Sequence, residues 1–385
     1  MPDLMPPVSV RPVTWVTSAP AREDVRIAVP EESLTNALAA PGAPASSPAP
    51  GWPADVYVPR GRGPFPAIIV SLGINQAARD DPRVRKVGDG LSRLGFVVLI
   101  PANDDLRAER LTSDAVAMLV AAFDQLAARP DVDPARIGFF GVCVGASLAL
   151  LAAQAPDIAD RVAWVAWFGG YYRLDTLIAA VASRSLAAVP DRDCPPGEDC
   201  AVAGTPRPWD IDPLSERVIR RHLLDLVDDP AERAAVARAA GIDPATGERT
   251  AAPETLPLVP GTTRQHGVAL LLGSAVTFDE ALNVLASLPA AAQALMADLS
   301  PATELEQLRA PLYTMNDVGD PLIPHTETDA LNRDAAELGR LTRARTFDVF
   351  RHVDLDPFAD TGRTLPEIWR LYRHVHAIVG TGLLD

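Results

Sequence analysis

A cysteine between two glycines, placed where a strand-like run turns into a helix-like one, constrains this chain more than any other feature. In "RIGFFGVCVGASLALLAA" (136–153) an apolar run follows Arg136, then Gly141-Val142-Cys143-Val144-Gly145, then an Ala/Leu-rich segment with helical character. A residue at so tight a strand-to-helix turn is thrust out at the carboxyl end of a sheet. Glycines two before and two after it remove Cβ atoms that would collide in the bend. The stretch therefore predicts a sheet whose strands feed helices, with Cys143 standing proud of the strand ends.

The rest of the chain supplies such a sheet. Residues 24–30 and 54–59 alternate like strands, with an Ala/Pro/Ser/Gly linker between them. The continuous apolar runs 65–73, 96–104 and 161–170 read as strands buried on both faces. Helical patterns fall at 82–94 and 113–128, the second with Val116, Leu119, Val120, Phe123 and Leu126 on one stripe. The alternation stops near Tyr172 and resumes with a strand at 310–320, a helix at 325–339, a strand at 344–354 and a last helix from about 365. This predicts an α/β fold: a mostly parallel central sheet with helices on both faces. Residues 1–172 and 309–385 form the core, with 1–50 a partly extended N-terminal segment. Residues 173–308, with helical patterns at 214–227 and 278–298, form a helical cap inserted before the strand that leads to Asp320.

With 385 residues the chain is long enough for a large domain and an insertion. Asp and Glu outnumber Lys and Arg by 50 to 35, and the net charge of −15 repels phosphate backbones, so no nucleic acid is expected as a partner. No run approaches the roughly 20 apolar residues of a membrane span, so no membrane partner is expected either. The start, "MPDLMPPVSVRPVTW", lacks a basic stretch ahead of an apolar core. We expect a cytoplasmic protein, with secretion as the alternative. Cys194 and Cys200, in "DCPPGEDC", either close a small disulfide loop or stay as two thiols. No metal is expected, because two cysteines without further ligands nearby make no zinc site.

Cys143 is the odd cysteine and holds the nucleophile position of the elbow. The helix that begins after it favours the thiolate. Its oxyanion donors are expected to be the amides of Val144 and of Ile74, in "SLGIN". Ser147, one turn further on, reads as a packing residue. An elbow nucleophile is followed in chain order by an acid and then a histidine. Asp320, in "NDVGDPLIP", is the first choice of acid, and Asp317 in the same loop the second. Among the six histidines only His352 falls just past the last expected strand, which makes it the expected base; His374 and His376 read as exposed or half-packed on the final helix. Trp167, Phe168, Tyr171 and Tyr172 lie near the root of the insertion. Trp167 and Tyr171 are expected to line the pocket, with packing beneath the cap as the alternative.

These segments resemble the α/β-hydrolase superfamily over about 54–172 and 308–382. "FPAIIVSLG", "GFVVLIPAND", "RIGFFGVCVGAS", "GDPLIP" and "FRHVD" follow its order, and cysteine in the elbow is similar to the dienelactone-hydrolase-like group. The resemblance implies a Cys143–His352–Asp320 triad. It also implies hydrolysis of carboxylic esters, with lactones and thioesters in reach, through an acyl-enzyme and without a cofactor. Ala146, where that group usually has a second glycine, and the long insertion depart from its pattern. Polyhydroxyalkanoate synthases carry a similar elbow, so an acyltransferase with the same triad is the alternative function. A small ester-type substrate is the expected partner, with a homodimer as a further possibility.

Overall fold

The computed structural model describes residues 19–28, 51–74, 81–187, 207–253, 264–273, 276–352, 354–355 and 361–384. Cys194 and Cys200 lie outside the described residues. The chain divides into two compact units. One comprises Met1–Gly170, Glu304–Gly319 and Leu331–Asp385, and the other Tyr171–Thr303 and Asp320–Ala330.

The first unit is built on eight strands: β1 (Ala21–Ile27), β2 (Trp52–Val58), β3 (Phe65–Ser71), β4 (Val97–Pro101), β5 (Val132–Val142), β6 (Trp164–Phe168), β7 (Leu312–Asp317) and β8 (Leu341–Phe347). They lie in the order β1-β2-β4-β3-β5-β6-β7-β8. The pairs β1–β2 and β2–β4 are antiparallel, and every pair from β4 to β8 is parallel. The longer helices of this unit are α1 (Pro82–Arg93), α2 (Asp114–Ala127), α3 (Val144–Gln154) and α11 (Thr361–Leu384). Asp81 starts α1 by accepting the Arg83 N–H at 2.7 Å, with Pro82 at the first helical position, where a missing N–H costs nothing.

Alternation along the strands divides the core between the two faces of the sheet. On one face Ile68, Val70, Val98, Ile100, Trp164 and Tyr313 pack with Val84 and Leu91 of α1 and Ile378 of α11. On the other, Ile69, Leu99 and Phe139 are fully buried, and Phe139 stacks on Phe123 of α2 with ring centroids 6.0 Å apart. Both faces are thus covered by helices, as a buried parallel sheet requires.

The second unit holds α4 (Leu174–Ser183), α5 (Pro213–Asp225), α6 (Pro230–Ala239), α7 (Arg264–Gly273), α8 (Phe278–Ser287) and α9 (Ala290–Asp298). Within it α4 packs on α8. The single helix expected at 278–298 is two. Thr277 and Glu280 close a capping box at the start of α8, and Pro289 breaks the run before α9, because its ring cannot continue the turn. The segment Asp320–Ala330, expected in the core, groups with this unit; α10 (His325–Glu337) starts in it and ends in the first unit.

Candidate active site

The parallel strands end level with one another. Ser71 pairs with Gly141, Val142 with Phe168, Phe168 with Met315, and Asp317 with Phe347, so β3, β5, β6, β7 and β8 share one carboxyl edge. Cys143 sits on that edge as the N-cap of α3, with φ 58° and ψ −141°. A non-glycine residue at this φ is strained, and such strain gathers where a side chain must be aimed. The bend is locked from both sides: Cys143 N–H donates to Phe168 O at 2.8 Å, and Cys143 O accepts from Ala146 N at 2.8 Å.

The two glycines of the motif are needed for space. A Cβ on Gly141 would lie 2.3 Å from Ala146 Cα, and one on Gly145 2.2 Å from Ser71 O. A third glycine, which the motif does not announce, completes the packing. A Cβ on Gly73 would stand 2.5 Å from Cys143 Cβ and 2.9 Å from its Sγ, so the loop after β3 lies directly against the sulfur. Ile74 follows Gly73 and is half-buried. Val144 is the first residue of α3, where an amide has no acceptor within its own helix. Cys143 itself is partly exposed, while Ser147 is fully buried inside α3.

His352 lies past the same edge. The strand expected to run to residue 354 ends at Phe347; Phe350–Arg351 then pairs antiparallel with Asp354–Leu355, and His352 turns the hairpin with φ 66°. Contacts to β7 and β6 help to hold this hairpin to the sheet. Asp317, at the end of β7, accepts Phe350 N–H on Oδ2 at 2.8 Å and Gly319 N–H on Oδ1 at 2.8 Å. The Phe350 ring meets Phe168 edge-on at 5.5 Å. Phe168 therefore touches both arms, its carbonyl fixing the cysteine and its ring the histidine hairpin. His352 is buried. The other histidines of the first unit take other places: His376 is exposed on α11, and His374, expected to be exposed or half-packed, is fully buried on the face that α11 turns to the sheet.

Asp320 belongs to the second unit and is held rigidly within it. Its Oδ1 accepts the amides of Leu322 at 2.8 Å and Ile323 at 3.0 Å. Its carbonyl accepts Trp209 Nε1–H at 2.9 Å, Pro321 O accepts Asp212 N–H at 2.8 Å, and Leu322 O accepts the Ser215 hydroxyl at 2.6 Å. Burial drives a side chain of the same segment, Glu327, up to about 7, although it accepts the amides of Tyr172 and Arg173 and the Thr176 hydroxyl. Trp167 and Tyr171 are 0% exposed. The sequence pointed to Cys143, His352 and Asp320, with Asp317 as the second choice of acid rather than as the anchor of the histidine hairpin, but not to Gly73 or the Trp209–Ser215 clamp. Only the "DP" of Asp212–Pro213, a helix start, hints at the last.

A cleft of about 50 Å³ opens beside Gly73, between the ends of β3 and β4 and α2; Leu72, Asn103, Leu106, Met118 and Leu148 help to line it. The groups on this edge can expose a thiol at a helix start beside a glycine loop. Among the described residues no group of three His, Cys, Asp or Glu side chains could hold a metal, and no helix is long and apolar enough to cross a membrane.

Residues 53–195 match the model of the dienelactone hydrolase family. No curated protein matches the sequence. Among solved structures, the uncomplexed acylaminoacyl peptidase of Pyrococcus horikoshii is similar, with a TM-score of 0.50 at 12% identity, over 97% of this chain and 44% of that one. An acylaminoacyl peptidase in complex with Z-Gly-Gly-Phe-chloromethyl ketone gives 0.50 at 12%, over 95% and 43%. A dienelactone hydrolase from Anabaena variabilis ATCC 29413 gives 0.41 at 15%, over 94% and 99%. The chain thus spans less than half the length of the two peptidases. The likeness to them is one of fold, the α/β-hydrolase fold.

Proposed function

We propose, for a chain that has the α/β-hydrolase fold and matches the dienelactone hydrolase family over residues 53–195, that it hydrolyses carboxylic esters through an acyl-enzyme on Cys143. The observation that carries this is the elbow: a cysteine at φ 58°, at the start of α3, with the glycine loop after β3 packed against its sulfur. Cys143 Sγ attacks the ester carbonyl carbon while His352 takes the thiol proton. The carbonyl oxygen becomes an oxyanion held by the amides of Val144 and Ile74. The C–O bond breaks, and the alcohol leaves with the proton that His352 returns. Water, deprotonated by His352, then attacks the thioester and frees the acid and the thiol. Asp320 fixes the imidazole tautomer and steadies its charge. Asp317 is a positioning residue that holds the hairpin carrying His352.

The cleft beside Gly73 is small and apolar and receives the acyl group, so short acyl chains are preferred. The test uses p-nitrophenyl acetate, followed by mass spectrometry of the quenched enzyme. Acetylation of Cys143 in the pre-steady state, followed by acetate release in water, supports the reading. Turnover that leaves Cys143 unmodified overturns it, and product that appears only when an alcohol acceptor is added displaces hydrolysis by acyl transfer.

A further inference from the structure

The first unit carries a concentration of positive charge that the proposed chemistry does not use. A groove of about 320 Å³ is lined by Arg343, Arg345 and Thr346 of β8 and by Arg370 and Arg373 of α11. β8 is the outermost strand, and the groove lies where α11 packs beside it. On a chain with a net charge of −15, four guanidinium groups around one groove are a local reversal of sign.

These arginines are poorly neutralised. Arg370 pairs with Glu367. Arg343 donates instead to the carbonyl of Arg373 at 3.3 Å, and Arg345 to that of Ala344 at 2.8 Å. Among the described residues neither they nor Arg373 have a carboxylate partner. Burial chiefly, and then the like charges of Arg345 and Arg373, push the Arg343 guanidinium below its ordinary value. Near the groove, His374 is fully buried with neither ring nitrogen hydrogen-bonded among the described residues, its ring 6.5 Å from that of Tyr313.

We propose that this groove binds a small soluble anion bearing more than one phosphate-type group. Guanidinium forks match tetrahedral oxyanions bidentately, and several forks around one concavity select for multiple charge. The volume is that of a small-molecule site, and its walls are concave rather than a flat stripe. The overall negative charge opposes approach to a nucleic acid or an anionic membrane, while a small ion seated in the groove feels chiefly the arginines around it, because acidic groups beyond the roughly 8 Å screening length of physiological salt are screened from it.

The test is calorimetric titration of the full chain with inorganic pyrophosphate at about 0.15 M salt, repeated on the R345Q/R373Q double variant after circular dichroism has shown that variant folded. Saturable binding to the wild type, weakened about tenfold or more in the variant, with hydrolysis of p-nitrophenyl acetate unaltered by the substitutions, supports the site. Equal affinity of the two proteins, or no saturation by about 10 mM, overturns it. Phosphatidylglycerol vesicles and a short DNA duplex form the other arms. Retention on either that pyrophosphate does not reverse overturns the small-anion assignment in favour of that surface.

Discussion

Two side-chain positions decide whether Cys143 works as a nucleophile. The first is the sulfur itself. Cys143→Ala removes the attacking atom and leaves a smaller side chain in the same elbow, so turnover of p-nitrophenyl acetate should fall by about 10³-fold or more while the thermal midpoint changes little. Full activity in that variant would remove the covalent route. The second is Gly73, whose missing Cβ leaves the space that Cys143 Cβ and Sγ occupy. Gly73→Ala must push the loop or the cysteine aside, and the loop carries the Ile74 amide proposed to face the oxyanion. We expect kcat to fall by about 10²-fold, the scale of a lost oxyanion donor, with KM nearly unchanged. An effect on KM alone would show that Gly73 shapes binding rather than the donor.

At the scale of elements, much of the sheet was legible because each buried strand is a continuous apolar run with a helical stripe after it, and both signals are local. The same locality explains what was not legible. "TFDVFRHVD" alternates straight through residue 354, yet β8 stops at Phe347 because Asp317 captures the Phe350 amide and starts a hairpin, a contact made 33 residues away in sequence. The clamp on Asp320 comes from Trp209, 111 residues distant, and no periodicity foretells it. The cysteine was readable because its glycines act on neighbouring turns, whereas Gly73 acts across the sheet and resembles any loop glycine. Within the second unit, Glu327 joins two elements by accepting amides from the start of α4 while itself lying on α10. Glu327→Ala strands the amides of Tyr172 and Arg173, while the Thr176 hydroxyl keeps the Arg173 carbonyl at 3.0 Å, at a cost of about 2–4 kcal/mol. A urea midpoint unmoved in that variant would show that water takes over those bonds.

Across the whole molecule, three buried groups among the described residues are shifted into or out of the range between pH 4 and 7, and they shape the response of stability to pH there. Burial lowers His222 from 6.5 to about 4. Burial, then Arg343 and Arg345, lower His374 from 6.5 to about 4. Burial raises Glu327 from 4.5 to about 7. The signs differ. Between about 4 and 6.5 the unfolded chain holds two imidazole protons that the folded chain refuses, so acid favours unfolding and stability rises with pH. Between 4.5 and about 7 the folded chain holds one carboxyl proton that the unfolded chain has lost, which lowers stability as pH rises. Where all three titrate, two protons oppose one, leaving a net rise of at most about 1.4 kcal/mol per pH unit. At 6.5 the unfolded imidazoles are still half protonated, and near 7 their remaining protons balance the carboxyl's, so stability should rise up to about 7 and stay nearly level beyond it. Urea midpoints measured from pH 4.5 to 7.5 test this. Glu327→Gln cannot titrate, so it should steepen the acid limb toward two protons' worth. A profile that falls steadily from 4.5, or one that Glu327→Gln leaves unaltered, would mean that these groups are not held in the protonation states their burial imposes.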